Sequence, residues 1–150
     1  MKINPVILVV FFSLFFHNCE KGDNETKISK HFTNESHNAG KDCMNCHKRG
    51  GSGEGWFTLA GSLYNGSLSA GYPNATVFLS TELAKVGSLV QLIEIDNVGN
   101  FYTTEAINYG NGLYVSIQGT QNDSAYMHAK IVSGNCNACH GNSTEKIRLP

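Results

Sequence analysis

This 150-residue sequence predicts a mainly β protein: an antiparallel β-sandwich of about six or seven strands, with a cysteine- and histidine-bearing segment at either end. Three observations carry the expectation. Between residues 56 and 132, short runs of Val, Ile, Leu, Thr, Tyr and Phe alternate with polar residues, the period-two pattern of strands with one buried face. Turn-forming Asn, Asp, Gly and Pro interrupt these runs at short intervals. Glycine is abundant (16 residues) and charge is sparse (15%), which favours strands and tight turns over long helices. Eleven Lys and Arg stand against twelve Asp and Glu, with no basic cluster longer than Lys48-Arg49, so nucleic-acid binding has no electrostatic support.

In chain order, Lys2 precedes an apolar core, Val6 to Phe16, broken only by Ser13. Residues 1–18 therefore read as a bacterial export signal, outside the fold. Cys19 follows, with Glu20-Lys21-Gly22-Asp23 behind it. This ending resembles a lipoprotein signal, in which the cysteine is lipidated and becomes the first mature residue. His17-Asn18 departs from that pattern, which has small residues there. The other reading is an ordinary secretory signal that leaves Cys19 a free thiol. An unpaired exposed thiol is a liability in an oxidising compartment, which favours the lipid. The expected location is extracytoplasmic, in the periplasm or at the outer membrane or cell surface, held by a lipid anchor without a span. No later stretch is long and apolar enough to cross a membrane.

Residues 19–42 are polar, with Ile28 and Phe32 as the only apolar anchors, and read as a tether ordered near the segment that follows. That segment, 43–55, opens with Cys43-Met44-Asn45-Cys46-His47. Residues 133–150 carry a second copy, Cys136-Asn137-Ala138-Cys139-His140. C-x-x-C-H is the attachment signature of c-type haem. Two thiols three positions apart can form thioethers to both vinyl groups of one porphyrin, and the adjacent histidine can ligate its iron. The copies use every cysteine but Cys19, so two covalent haem c groups are expected. Export agrees, because bacteria attach this cofactor outside the inner membrane. After the first copy, Gly50-Gly51-Ser52-Gly53-Glu54-Gly55 is either a plain flexible linker or a backbone that must approach a flat ligand closely.

The sandwich is expected over 56–132. Trp56 to Tyr64 alternates and turns at Asn65-Gly66; Tyr72-Pro73-Asn74 leads into Ala75 to Thr81. Leu89 to Ile95 stops at Asp96-Asn97; Gly99-Asn100 leads into Phe101 to Glu105. Leu113 to Gln118 follows Gly110-Asn111-Gly112, and Tyr126 to Val132 closes the set. Within it, Gly61-Ser62-Leu63-Tyr64, Pro73-Asn74-Ala75-Thr76-Val77-Phe78-Leu79 and Asn97-Val98-Gly99-Asn100-Phe101-Tyr102 form a spaced set. Over roughly Phe57 to Gln118 they resemble the carboxypeptidase-regulatory-like (transthyretin-like) β-sandwich, which implies a fold and no catalytic residues. The whole arrangement is similar to exported c-type cytochromes of Bacteroidetes-like bacteria, in which haem motifs flank such a sandwich.

Each motif supplies one axial ligand, His47 or His140. His37 lies six residues before Cys43 and His128 eight before Cys136, each followed by a glycine before its motif. These two are the expected distal ligands. His31 rivals His37. Met127 rivals His128, and since neighbours on a strand face opposite ways only one of that pair can point at the iron. Met44 sits inside its own motif and cannot readily reach the far face. Crossed ligation and a ligand from a neighbouring subunit stay open. Among the aromatics Trp56 is placed beside the first haem, and the others read as sandwich core.

The leading expectation is a membrane-associated dihaem cytochrome with six-coordinate haems that passes electrons between redox partner proteins, and not an enzyme. An even number of strands would bring the haems to one pole. An odd number would separate them and suit self-association through stacked haems. The rivals are a binding or stalk sandwich with accessory haems, a haem peroxidase or reductase with one open haem, and a zinc or dithiol protein.

Overall fold

The computed structural model describes residues 24–150; the leader and Cys19 lie outside the described residues. Within 56–132 there are six strands, the first five on expected runs: β1 (Leu59–Tyr64), β2 (Thr76–Ser80), β3 (Leu89–Glu94), β4 (Asn100–Thr103), β5 (Tyr114–Gln118) and β6 (Ser124–Tyr126). Two further short strands, β7 (Gly134–Asn135) and β8 (Ile147–Arg148), come after them. One sheet runs β4-β1-β7, with β8 also on β1; the other runs β3-β2-β5-β6. The chain is therefore mainly β and sandwich-like.

The core follows from the alternation. Val77 and Leu79 of β2, Ile93 of β3, Ile117 of β5 and Phe101 of β4 turn inward to meet Leu59 and Leu63 of β1. Each such side chain contributes about 1.5–3 kcal/mol on burial. β1 departs from alternation, because all six of its residues are buried. One of its faces meets the core, and the other is covered by chain from both ends of the sequence.

Turn chemistry sets the strand ends. Asn65 Oδ1 accepts from the backbone N–H of Ser69 at 3.0 Å and closes the first loop. Asp96, wholly buried, accepts from Val98 N at 3.0 Å and Asn100 N at 2.9 Å, which leaves Gly99 at φ 88° to complete the turn.

Two expectations change. The first is the antiparallel sheet, which here contains parallel pairs. β7 runs parallel to β1 at Leu59 and Ala60, and β8 runs parallel to it at Leu63 and Tyr64. Together they act as one interrupted edge strand, and the second Cys-x-x-Cys-His segment is the excursion between its halves. At the gap Ser62 N donates to Asn137 Oδ1 at 3.1 Å, a side-chain substitute for the missing ladder bond. The second concerns the run expected from Tyr126 to Val132. The strand there is Ser124–Tyr126 and meets that run only at Tyr126, because beyond the bond from Met127 N to Val115 O (3.0 Å) only an isolated Leu113–Ile131 bridge continues the pairing.

The polar segment before the first motif is laid along the sheet. Ile28 bridges to Thr103 outside β4, and Ser29, 1% exposed, donates through Oγ to Glu94 O at 2.6 Å. Its short hydroxyls satisfy backbone groups that a more apolar segment would leave unpaired. Among the described residues no helix is long and apolar enough to cross a membrane.

Candidate functional site

The two Cys-x-x-Cys-His segments fold alike. Each begins with a 3-10 turn, Cys43–Asn45 or Cys136–Ala138. Cys43 O accepts from Cys46 N at 3.2 Å and His47 N at 3.0 Å; Cys136 O accepts from Cys139 N and His140 N at the same two distances. The turn brings both sulfurs and the imidazole to one side of the chain. His47 Nδ1 bonds Glu54 O at 2.8 Å, and His140 Nδ1 bonds Glu145 O at 2.8 Å. A ring nitrogen held by a carbonyl fixes the tautomer and leaves Nε2 as the lone-pair nitrogen, the usual preparation of a histidine that binds metal. Neither Nε2 makes a hydrogen bond among the described residues.

Each segment opens onto its own half-open cleft. The first, about 250 Å³, is lined by Cys43, Cys46 and His47 together with His37. The second, about 470 Å³, is lined by Cys136, Cys139 and His140. All four cysteines are free thiols. Burial raises the Cys43 thiol above its ordinary range and pushes the Cys136 thiol up to about 12, with nearby Cys43 adding to the latter rise.

His37, expected as a distal ligand, lies with its ring centre 5.8 Å from that of His47. The first cleft thus brings together two imidazoles, either of which could serve as a ligand if an iron porphyrin were bound there. The rival His31 is occupied elsewhere, with Nε2 2.9 Å from Ala75 O and 3.3 Å from Thr76 Oγ1. His128 is exposed and outside the lining of the second cleft, whereas Met127 is half-buried and lines it. Met44 is absent from both linings. The aromatic ring beside His47 is Phe57, stacked at 4.1 Å and 6°, and not Trp56, which lies under Arg49 at 5.5 Å. Adjacent residues in extended chain point apart, so Phe57, which the sequence assigns to the sandwich core, takes the place against His47 while Trp56 turns towards Arg49.

The glycine-rich stretch is wrapped chain and not a loose joint. Gly53 N donates to Cys46 O at 3.0 Å, and a Cβ on Gly53 would sit 2.7 Å from His47 Nδ1. Only a residue without a side chain lets the backbone close over that ring and aim Glu54 O at it.

The clefts are neighbours. Phe101, 1% exposed, lines both. A buried polar network ties the two segments together through β1. Asn137 Nδ2 donates to Lys41 O at 2.8 Å and to Ser62 Oγ at 3.1 Å, and Gly40 N donates to Ser62 Oγ at 2.8 Å. Ser62 Oγ in turn donates to Asn100 Oδ1 at 2.6 Å. Asn137 thus joins the second motif to the chain just before the first. No sequence signal marks it, since the position between the cysteines is variable in the C-x-x-C-H pattern. Asn137→Ala would strand Lys41 O and Ser62 N, an expected loss of about 1–3 kcal/mol in denaturant unfolding. An unchanged midpoint would mean the network does not hold the segments.

No family model, curated protein or solved structure matches this chain. The chemistry of the clefts must speak for itself.

Among the described residues no three His, Cys, Asp or Glu side chains converge on a point that would hold a metal ion. A haem iron asks less of the protein, since the porphyrin supplies four nitrogens and only axial ligands remain. Each cleft presents two free thiols, one imidazole with Nδ1 already engaged, and a glycine-wrapped or apolar wall. Asp42 Oδ1 and Asn135 Oδ1, each one residue before the first cysteine of a motif, are buried without a partner. The donor sets fit covalent haem.

Proposed function

We propose that this chain is a dihaem c-type cytochrome that transfers single electrons outside the cytoplasm. The observation carrying the reading is the duplicate construction of the two C-x-x-C-H segments: matching turns, free thiol pairs and imidazoles held at Nδ1 by a carbonyl 2.8 Å away. Haem in such a site supplies reversible one-electron chemistry at iron. The rest is the work of the polypeptide. Cys43 and Cys46 fasten one group and His47 ligates it; Cys136, Cys139 and His140 do the same for the other. His37, its ring centre 5.8 Å from that of His47, would close the first site to substrate, which favours outer-sphere transfer over peroxidase or reductase chemistry.

The common wall at Phe101 and the Asn137 link favour direct exchange between the two haems. The expected export signal and lipidated Cys19 would set this pair at a membrane surface, where a redox partner protein could reach it. The β-sandwich, which resembles the carboxypeptidase-regulatory-like fold, serves as the rigid frame. Reductive titration of the purified holoprotein under anaerobic conditions tests the function. Reversible uptake of two electrons per chain, without turnover of peroxide, is the expected result. Uptake of none, or rapid peroxide consumption, would overturn it.

A further inference from the structure

The two clefts are chemically unlike. Beside its motif, the first is lined by charged groups, Lys27, Glu35, Lys41, Asp42 and Glu54, and holds His37. The second is walled by Phe101, Val115, Ile117, Ala125, Ile131 and Ile147, and His140 is the only histidine that lines it. Exposure alternates along the chain leading to this wall: Ser124, Tyr126 and His128 are exposed, while Ala125 and Met127 are half-buried. The bond from Met127 N to Val115 O, 3.0 Å, carries this alternation one residue past β6. Met127 therefore shares the inward face with Ala125, and His128 shares the outward face with Tyr126. Two other side chains able to bond iron reach the lining, and neither competes. Tyr126 is 42% exposed, and the Lys130 ammonium lies over the Tyr114 ring at 5.3 Å.

We infer that Met127 is the distal ligand of the second haem, so that the protein holds one bis-histidine site and one histidine–methionine site of higher potential. The inference rests on the dihaem reading above. Two effects act in the same direction. A thioether ligand raises the potential relative to a second imidazole, and an apolar wall disfavours the more highly charged ferric state. An electron arriving at the pair comes to rest on the second haem, which gives the transfer a direction: in through the first cleft, which charged side chains line, and out through the more apolar second.

Spectroelectrochemistry of the full-length holoprotein tests this, with intact mass recorded first to count attached haems. The wild type is expected to show two resolved one-electron steps and wholly low-spin spectra. Met127→Ala should turn one haem high-spin and displace the upper step, while the lower step stays in place. Met127→His should restore a low-spin spectrum and move the upper step down towards the lower. His128→Ala should change neither. Two low-spin haems and unmoved steps in Met127→Ala, or a high-spin haem in His128→Ala, would overturn the inference and leave the dihaem reading standing. A mass equal to the bare chain would overturn both.

Discussion

Phe101→Ala is expected to lower the unfolding free energy by about 3–5 kcal/mol, the largest stability effect of any single truncation in the core. Phe101 is 1% exposed and belongs to the cluster formed with Leu59, Leu63, Val77 and Ile93. Its ring presses on β1 where Gly61 leaves room, and a Cβ on Gly61 would also meet Cys136 Cβ at 2.9 Å. The surroundings cannot collapse into the vacated space, because β1 is already covered on both faces and held by hydrogen bonds on both edges. A typical domain has only about 5–15 kcal/mol to lose. Since the ring is the shared wall of both clefts, the substitution should also perturb the spectra of both haems together. Urea unfolding followed by far-ultraviolet circular dichroism measures the first effect. A loss under about 1 kcal/mol would show that the core does not close on Phe101.

The second large effect is expected from His37→Ala. Its ring centre stands 5.8 Å from that of His47, on a segment tied down by the bonds from Gly40 N to Ser62 Oγ and from Asn137 Nδ2 to Lys41 O. The rival His31 is not free to replace it, since it is bonded to Ala75 O. Loss of this imidazole should leave one axial position of the first haem open and turn it high-spin, while Cys43 and Cys46 keep it covalently attached. The ferric absorption spectrum, with intact mass as control, reads both outcomes. A wholly low-spin spectrum would assign the distal position to another residue. His31→Ala serves as the control and should leave the spin state unchanged.

What the sequence revealed divides along physical lines. Five of the six main strands were legible, because apolar side chains alternate in runs such as Val77 and Leu79 of β2 and because Asn65, Asp96 and Gly99 punctuate them with turn chemistry. β7 and β8 were not, since two-residue strands have no periodicity to read; they exist because β1 offers an edge for them to pair with. The cysteines and motif histidines were legible through spacing alone. Their neighbourhood in space was hidden, because it depends on Asn137 and Ser62, whose types say nothing of tertiary partners. Glu54 and Glu145 escaped notice for a different reason: each contributes a backbone carbonyl, which every residue possesses. For His37, proximity in sequence to Cys43 becomes proximity in space to His47. His128, equally close in sequence to its motif, is exposed, while its neighbour Met127 is half-buried in the lining of the second cleft.

The central claim is that Cys43, Cys46, Cys136 and Cys139 bind two porphyrins through carbon–sulfur bonds. Intact mass spectrometry combined with a pyridine haemochrome spectrum, on protein purified from a host with working cytochrome maturation machinery, tests it most directly. The expected result is a mass increment of two iron porphyrins with a c-type haemochrome, reduced to one in the Cys136→Ala/Cys139→Ala double variant. A colourless product with the mass of the polypeptide and any lipid alone would contradict it.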